Sequence, residues 1–310
     1  EQIYLVGCHT LQCCSHEHFE DCPYYEQLQY AGDARIAALA SYSATGDDAL
    51  GRQSLRMFGY SQLSNGMTQS RFPSTFRQVI PVYSLIWGLM LYDHYCVFRD
   101  ISLVKELLPK ILHMLNAFEA GLQENGLIDT PEGWHFVDWA KGWYGGCPAR
   151  DELIPDTLHN LFYAETCRRI AELSEELDED AAYLLKRWKR TVNAVNEYCF
   201  DKEKKRYRDA PERDWFSLHS NVMAILAGAV PCERREDFLS EILADDSLTQ
   251  PSLYFEFYVL SAIQLYSSPK VMRKRFGLWE KMLDQGYTTF PETPEPSCRS
   301  LCHAWSVAPV

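Results

Sequence analysis

The chain has 310 residues, of which 46% are hydrophobic, 13% aromatic and 24% charged, and its formal net charge is −13 at pH 7. This composition can fill a large core, and we expect one globular domain over residues 1–310. The negative charge argues against a nucleic-acid partner, because a phosphate-binding surface needs clustered Lys and Arg. The longest apolar run, Val79–Tyr92, is about 14 residues long and too short to span a bilayer.

The cysteines predict neither a disulfide framework nor a metal site. Eleven of them, an odd number, are scattered along the chain. Cysteines and histidines crowd between Cys8 and Cys22, but this stretch has no Cys-x-x-Cys pair and no helical His-Glu-x-x-His motif. The cluster could in principle hold zinc, but the spacing favours small buried thiols on a first helix without a metal.

Helical periodicity dominates the chain. Between Ile101 and Gln123, leucines and other apolar residues recur at spacings of three and four, which predicts one amphipathic helix. Strand-like alternation is scarce, and the connections are rich in Gly, Pro, Asp and Trp. The same pattern predicts about twelve helices, over 2–15, 34–45, 47–62, 76–98, 101–123, 152–175, 178–199, 217–229, 234–244, 252–266 and 269–285, with a last one opening near 301.

The helices fall into two kinds. The helix through Ile80–Tyr92 is apolar on most faces, whereas the helix over 178–199 carries many charges. This difference predicts an inner ring of helices inside an outer ring, and six helical hairpins arranged in this way form an all-α (α/α)6 toroid. Loops joining the rings would line a funnel at one end. A regular solenoid is the weaker alternative, because no sequence repeat of 20–50 residues is present.

The segment Asp21–Asp33 places three carboxylates and three tyrosines between two predicted helices. Acids beside aromatic rings suit a sugar, since carboxylates accept hydrogen bonds from hydroxyl groups and ring faces cover the apolar side of a pyranose. Glu26 is the best candidate for a general acid, because the flanking rings of Tyr24, Tyr25 and Tyr30 could keep water away from it. The alternative is that Glu26 only caps a helix or pairs with a basic residue.

A second acid is needed if a glycosidic bond is hydrolysed by direct displacement, with one carboxyl protonating the leaving oxygen and another activating water. The segment Gly286–Pro296 is the clearest source, because its prolines and glycine prevent a helix and hold an extended stretch. Glu292 lies inside it. Between the two segments, the connection that contains Trp134, Asp138 and Trp139 could supply an aromatic platform, although we expect at least half of its rings to fill the core.

These segments resemble bacterial α-L-rhamnosidases of glycoside hydrolase family 78. The similarity consists of the Asp-Cys-Pro at Asp21, a Glu three residues after that proline, the Gly-Asp ending at Asp33, an Asp-Trp pair at Asp138, and a Gly-x-Thr-Thr-aromatic-x-Glu stretch ending at Glu292. A Leu-Ile-Trp segment ending at Trp87 also fits, so the resemblance spans essentially the whole chain.

The resemblance implies an inverting glycosidase that releases terminal α-L-rhamnose or a related sugar without a cofactor. It implies neither a metal nor an organic cofactor, and it assigns the acid to Glu26 and the base to Glu292 rather than Glu295. It also implies a sugar-binding set of Asp21, Asp33, Tyr30, Trp134, Asp138, Trp139 and His303.

The resemblance further implies flanking β-sandwich domains and a bacterial periplasm or cytoplasm, with the compartment left open. The chain begins without Met and stops abruptly after 303–307, so we expect it to be a piece excised from a longer chain. Gln27 stands where Arg is typical and Pro291 where an aromatic is common, so the exact sugar and linkage also stay open.

Two other functions stay open. One is a carbohydrate-binding toroid that has lost catalysis. The other is an (α/α)6 polysaccharide lyase. Such an enzyme would need a Tyr or His base and basic residues around a uronate, and the net charge of −13 disfavours it. Asp33 also has an alternative role as a helix N-cap, because it directly precedes a predicted helix.

Overall fold

The computed structural model describes residues 1–148, 156–295 and 297–310. Within these ranges two strands, β1 (Phe200–Asp201) and β2 (Arg206–Tyr207), form one antiparallel hairpin, and 3-10 helices span Cys232–Arg234 and Ala304–Val307. The α-helices are α1 (Gln2–Cys13), α2 (Ala31–Thr45), α3 (Ala49–Tyr60), α4 (Pro81–Phe98), α5 (Ile101–Glu119), α6 (Thr157–Glu175), α7 (Ala182–Tyr198), α8 (Leu218–Leu226), α9 (Arg235–Leu243), α10 (Glu256–Tyr266), α11 (Pro269–Arg275) and α12 (Gly277–Asp284).

The even-numbered helices from α2 to α10 form an inner ring. Each contacts the next, and α2 also contacts the 3-10 helix Ala304–Val307, which takes the sixth inner position. Burial separates the rings: 13 of the 18 residues of α4 are buried, but only 5 of the 17 residues of α7. The charged face of α7 points to solvent, as expected for an outer helix. The predicted all-α (α/α)6 toroid is therefore confirmed.

Several predicted boundaries differ from the structure. The helix predicted from 76 begins at Pro81, since proline at the first helical position has no amide hydrogen to satisfy. The single helix predicted over 269–285 is wrong: the amide of Trp279 bonds the carbonyl of Phe276, three residues back, and α11 and α12 separate there. The helix expected near 301 is only a 3-10 turn. The predicted start at 152 lies outside the described residues.

Loops before the inner helices meet at one end of the toroid, because each inner helix runs in the same direction and an outer helix returns the chain. Backbone hydrogen bonds join neighbouring loops into a rim. They link Ala31 to Ser70, Trp134 to Val79, Thr157 to Asp209, Leu218 to Thr249 and Ala304 to Asp21. The last of these pairs brings the first and final loops together and closes the ring.

Two global findings accompany the fold. The described residues include all eleven cysteines, and no disulfide bond is present among them. Among the described residues, no helix combines the length and apolarity needed to cross a bilayer.

Candidate functional site

One cavity of about 110 Å³ lies at the rim, and every predicted site residue except Asp138 lines it. Its walls come from the first rim loop and α2, from the loops before α4 and α6, and from the final loop. The lining consists of Asp21, Glu26, Tyr30, Asp33, Ile80, Tyr83, Trp134, Phe136, Trp139, Glu292, His303 and Trp305.

Asp21 is held inside the first rim loop. Its Oδ1 accepts a hydrogen bond from the amide of Leu28 at 2.8 Å, and its own amide donates to the Leu28 carbonyl at 2.8 Å. Gln27, with a φ of 55°, makes the tight turn that allows this closure. Burial raises the pKa of Asp21 to about 6, although the Leu28 amide opposes the rise.

Asp33 lies in the first turn of α2 and is almost fully buried. The helix begins at Ala31, two residues before Asp33, so the N-cap alternative for Asp33 is wrong. Burial, and secondly the neighbouring charge of Asp21, raise the pKa of Asp33 well above its ordinary value. Gly32 provides the space, since a Cβ there would lie 2.6 Å from the Tyr254 hydroxyl and 2.7 Å from the Tyr83 ring.

His303 lies between the two aspartates. Its Nδ1 is 3.5 Å from Asp33 Oδ1, and its Nε2 is 3.8 Å from Asp21 Oδ2. Its ring packs on Trp305 with centroids 4.0 Å apart. Burial lowers the pKa of His303 to about 3, so the imidazole is neutral near pH 7.

Glu26 is at the mouth of the cavity, with 37% of its side chain exposed. Tyr30 donates a hydrogen bond to Oε2 at 2.9 Å, and Arg299 Nη2 is 3.3 Å from Oε1. The expected cover by Tyr24 and Tyr25 is wrong, because these rings are 79% and 48% exposed and lie outside the cavity lining. The expected pairing with a basic residue is present alongside the cavity position.

Glu292 lies in a stretch of the final loop that hydrogen bonds hold in place. Its amide donates to the Ser300 carbonyl at 2.9 Å, and the Trp305 indole donates to the Glu292 carbonyl at 3.0 Å. None of the described residues donates a hydrogen bond to the Glu292 carboxylate, which faces the cavity. Burial raises the pKa of Glu292, with a smaller contribution from Glu26. Glu295 is exposed and does not line the cavity.

An aromatic wall forms one side of the cavity. Phe136 is buried between Trp134 and Trp139, with ring centroids 4.9 and 5.0 Å away. Trp139 is 43% exposed, so its ring is open to a ligand. Trp143 packs instead on the His219 ring at 4.4 Å and is partly buried against the core. Phe136 is the one buried Trp, Phe or Tyr ring among the described residues of this loop, whereas Trp134 and Trp143 are only partly buried, so the expectation that at least half of the rings fill the core is wrong.

Asp138 is the expected site residue that the cavity does not contain. Its side chain is fully buried beneath the aromatic wall. His219 Nε2 is 2.7 Å from its Oδ2, the Ser252 amide donates to the same oxygen at 2.8 Å, and the Ser252 hydroxyl donates to Oδ1. These partners occupy both carboxylate oxygens. They offset the free-energy cost of burying the carboxylate, which would be high without hydrogen bonds. Asp138 thus anchors the loop between Phe136 and Trp139.

Sequence reasoning missed several residues around the acids. Ile80, Tyr83 and Trp305 line the cavity, and Arg71 and Arg299 flank its mouth. Trp305 stands two residues after the predicted His303 in sequence, which is a usable signal. Tyr83 lies within a continuous apolar run, where nothing distinguishes a cavity residue from a core residue.

A larger cavity of about 570 Å³ contains none of the predicted site residues. Trp143, Trp215 and Phe216 line it, and most of its charges are paired, as in Lys204 with Asp214. Its three described carboxylates already have partners: Asp209 accepts hydrogen bonds from two serine hydroxyls, and Asp214 and Asp245 pair with Lys204 and Arg206.

One group within the described residues could hold a cation. Asp48, His94 and Asp100 place potential ligand atoms within 4.8 Å of one another. Arg52 already pairs with both aspartates, at 3.2 and 2.6 Å, and so compensates their charge. The group involves no residue of the acid-lined cavity.

Comparison with known proteins identifies the family. Residues 1–250 match the bacterial alpha-L-rhamnosidase 6 hairpin glycosidase domain. No curated protein sequence matches the chain.

Solved structures share the fold at low sequence identity. The glycoside hydrolase family 78 rhamnosidase of Bacillus sp. GL1 is 24% identical with a TM-score of 0.91, over 99% of this chain and 34% of that chain. A rhamnosidase from Klebsiella oxytoca with rhamnose bound is 22% identical with a TM-score of 0.86, over 99% of this chain and 62% of that chain.

A mannosylglycerate hydrolase of glycoside hydrolase family 63 from Thermus thermophilus, in complex with glucose, is 12% identical with a TM-score of 0.69. The match covers 99% of this chain and 98% of that chain. By contrast, the chain spans less than two thirds of the two rhamnosidase chains. The likeness to these structures shows the fold, and the sequence match over residues 1–250 shows that the chain belongs to the bacterial α-L-rhamnosidase six-hairpin glycosidase family.

Proposed function

We propose that this domain hydrolyses terminal α-L-rhamnosides, or those of a closely related sugar, with inversion at the anomeric carbon. One observation carries the proposal: carboxylates from the first and last rim loops, Glu26 and Glu292, line a single cavity that has an aromatic wall. Hydrolysis by inversion needs two such carboxyl groups with room for water between one of them and the sugar.

Glu26 is the proposed general acid. Its position at the mouth puts it on the side where a leaving group can depart into solvent, and Tyr30 orients it through Oε2. The acid gives its proton to the glycosidic oxygen as the bond to the anomeric carbon breaks. The leaving group then departs as an alcohol, and Glu26 is left ionised.

Glu292 is the proposed general base. Its carboxylate lacks a hydrogen-bond donor among the described residues, so its lone pairs are available to a water molecule. A raised pKa makes the ionised form a stronger base. Glu292 takes one proton from water while the oxygen attacks the anomeric carbon from the face opposite the leaving group, which inverts the configuration.

Asp21, Asp33 and His303 are proposed to hold the sugar hydroxyl groups. Asp33 Oδ1 and His303 Nδ1 are buried without a hydrogen-bond partner among the described residues. Leaving buried polar atoms unpaired is costly, and a hydroxyl can donate to one and accept from another. A bound sugar would therefore satisfy both atoms.

The two alternatives are weaker. Among the described residues, the cavity lining contains four carboxylates and no Lys or Arg, which disfavours a lyase that must neutralise a uronate at the reacting carbon. A toroid that only binds carbohydrate would have no need for a Glu292 carboxylate to which none of the described residues donates a hydrogen bond. The β-sandwich domains expected beside this domain stay a proposal, supported by the greater length of the two rhamnosidase chains.

A panel of nitrophenyl glycosides tests the proposal on the full-length protein. We expect hydrolysis of the α-L-rhamnoside, with β-L-rhamnose as the first product in time-resolved proton NMR. The α-anomer as first product would overturn inversion. Binding of rhamnose with no hydrolysis of any glycoside would instead support the inactive toroid.

A further inference from the structure

Two guanidinium groups flank the proposed acid at the mouth of the cavity. Arg299 Nη2 is 3.3 Å from Glu26 Oε1, and its guanidinium carbon lies 4.7 Å from the centroid of the Tyr25 ring. On the other side, Arg71 Nη1 donates to the Tyr30 hydroxyl at 2.8 Å. In the part of the chain that the structure describes, the lining of the cavity itself contains no Lys or Arg, and the two cations lie beside Glu26 and its partner Tyr30 instead.

Arg299 and Glu26 have conflicting requirements during the reaction. Glu26 must carry a proton to act as an acid, and a protonated carboxyl no longer offers Arg299 a full negative charge. Arg299 is 61% exposed and can turn to a new partner. A carboxylate on the leaving group would provide that partner and would release Glu26 Oε1 toward the glycosidic oxygen.

We propose that Tyr25 and Arg299 form a leaving-group subsite that selects an acidic sugar, a uronic acid residue bonded to the terminal rhamnose. This inference rests on the proposed rhamnosidase function. The half-exposed Tyr25 ring offers an apolar face to the sugar, and the Arg299 fork matches the geometry of a carboxylate. A local cation is needed here, because the net charge of −13 otherwise repels an anionic substrate.

The second guanidinium supports the same assignment. The Nε atom of Arg71 is buried without a hydrogen-bond partner among the described residues. Its guanidinium also lies 5.6 Å from the Tyr30 ring centroid, so it stays beside the Glu26–Tyr30 pair. Two cations around one exposed acid give the mouth a local charge that suits an anion.

The test compares two disaccharides with the same α-L-rhamnosyl bond, one to O4 of D-glucuronic acid and one to O4 of D-glucose. For the full-length protein we expect kcat/KM to favour the acidic disaccharide by about 10- to 100-fold, as charge-assisted hydrogen bonds allow. The preference should fall as NaCl rises from about 0.05 to about 0.5 M, because the contact is exposed. If neither disaccharide is cleaved, the ratio of their inhibition constants against nitrophenyl rhamnoside replaces the ratio of kcat/KM.

Arg299→Gln should reduce the preference to within about threefold, and Arg299→Lys should keep part of it, because Lys retains the charge but not the fork. Arg77→Gln is the matched control: Arg77 is exposed on the same rim and forms no ion pair with Glu26, so the preference should persist. Equal kcat/KM for both disaccharides in the wild type, or a preference unchanged in Arg299→Gln, would overturn the inference.

The rhamnosidase function and the acidic subsite can be tested separately. If the wild type cleaves no rhamnoside, including the nitrophenyl compound, the rhamnosidase assignment fails. The dissociation constants of the two disaccharides, measured by NMR titration, then still test Arg299. A preference for the acidic disaccharide that disappears in Arg299→Gln would support the subsite, and equal binding would overturn it.

Discussion

His303 Nδ1 lies 3.5 Å from Asp33 Oδ1, and among the described residues neither buried atom has a hydrogen-bond partner. The lowered pKa of His303 and the raised pKa of Asp33 both favour uncharged side chains in this pair. A protein interior rarely leaves two such atoms unpaired. We therefore expect these two atoms to bind a ligand, and a substitution in this pair should affect ligand binding more than stability.

Asp33→Asn should lower kcat/KM by about 10- to 100-fold, because an acceptor for a sugar hydroxyl is lost. Stability should not fall. The raised folded-state pKa means that ionising Asp33 costs folding free energy once the pH exceeds the unfolded value, and asparagine avoids this cost. Kinetics and thermal melting of the same preparation check both expectations. A clear drop in Tm with unchanged kinetics would reduce Asp33 to a structural role.

Asp21 should make stability depend on pH. Its folded pKa of about 6 is above the unfolded value of about 3.9, so the folded state holds the proton more tightly. Its contribution is fully present below pH ~4 and is lost as the pH rises to about 6, which corresponds to at most about 3 kcal/mol. Urea unfolding at several pH values measures this slope. In Asp21→Asn the slope should become shallower across the same window, and an identical slope would refute the assignment.

The loss of activity caused by Glu26→Gln should depend on the leaving group of the substrate. A nitrophenol departs with little protonation, so its hydrolysis should suffer much less than hydrolysis of a disaccharide, where loss of the acid costs about 10²- to 10⁴-fold. Paired kinetics on the two substrates provide the measurement. Equal losses would indicate that Glu26 binds the sugar rather than donates a proton.

Glu292→Gln should slow both substrate types alike, because water must be activated whatever the leaving group. In the wild type, activity should be lost on the acid side as Glu292 gains a proton. The raised pKa of Glu292 places this limb above the ordinary glutamate range. The pH profile of kcat/KM checks its position. A limb at or below the ordinary value would argue against Glu292 as the base.

Asp138→Asn should destabilise the protein by about 1–3 kcal/mol, since it removes the charged acceptor of the His219 and Ser252 hydrogen bonds. Because Asp138 positions the aromatic wall without lining the cavity, KM should rise more than kcat falls. Trp139→Ala offers a comparison, since it removes the ring itself while leaving the anchor in place. Loss of kcat with an unchanged KM would instead place Asp138 among the reacting groups.

Local sequence determined most of the helices and the segment around Glu26. Spacings of three and four residues are enough to predict an amphipathic helix such as α5, because neighbouring turns present the same face. Likewise, Asp21, Glu26 and Asp33 lie within thirteen residues, so one loop and one helical turn bring them together. The resemblance to rhamnosidases depended on such short segments.

Only the tertiary structure decided which side chains meet. Glu26 and Glu292 share a cavity because the ring closes between the first and last loops, a contact that no local pattern encodes. Asp138 carries a motif like that of a site residue, yet its position under the aromatic wall gives it His219 and Ser252 as partners. Arg299 had no signal in sequence, since an exposed arginine becomes informative only once a carboxylate 273 positions away lies beside it.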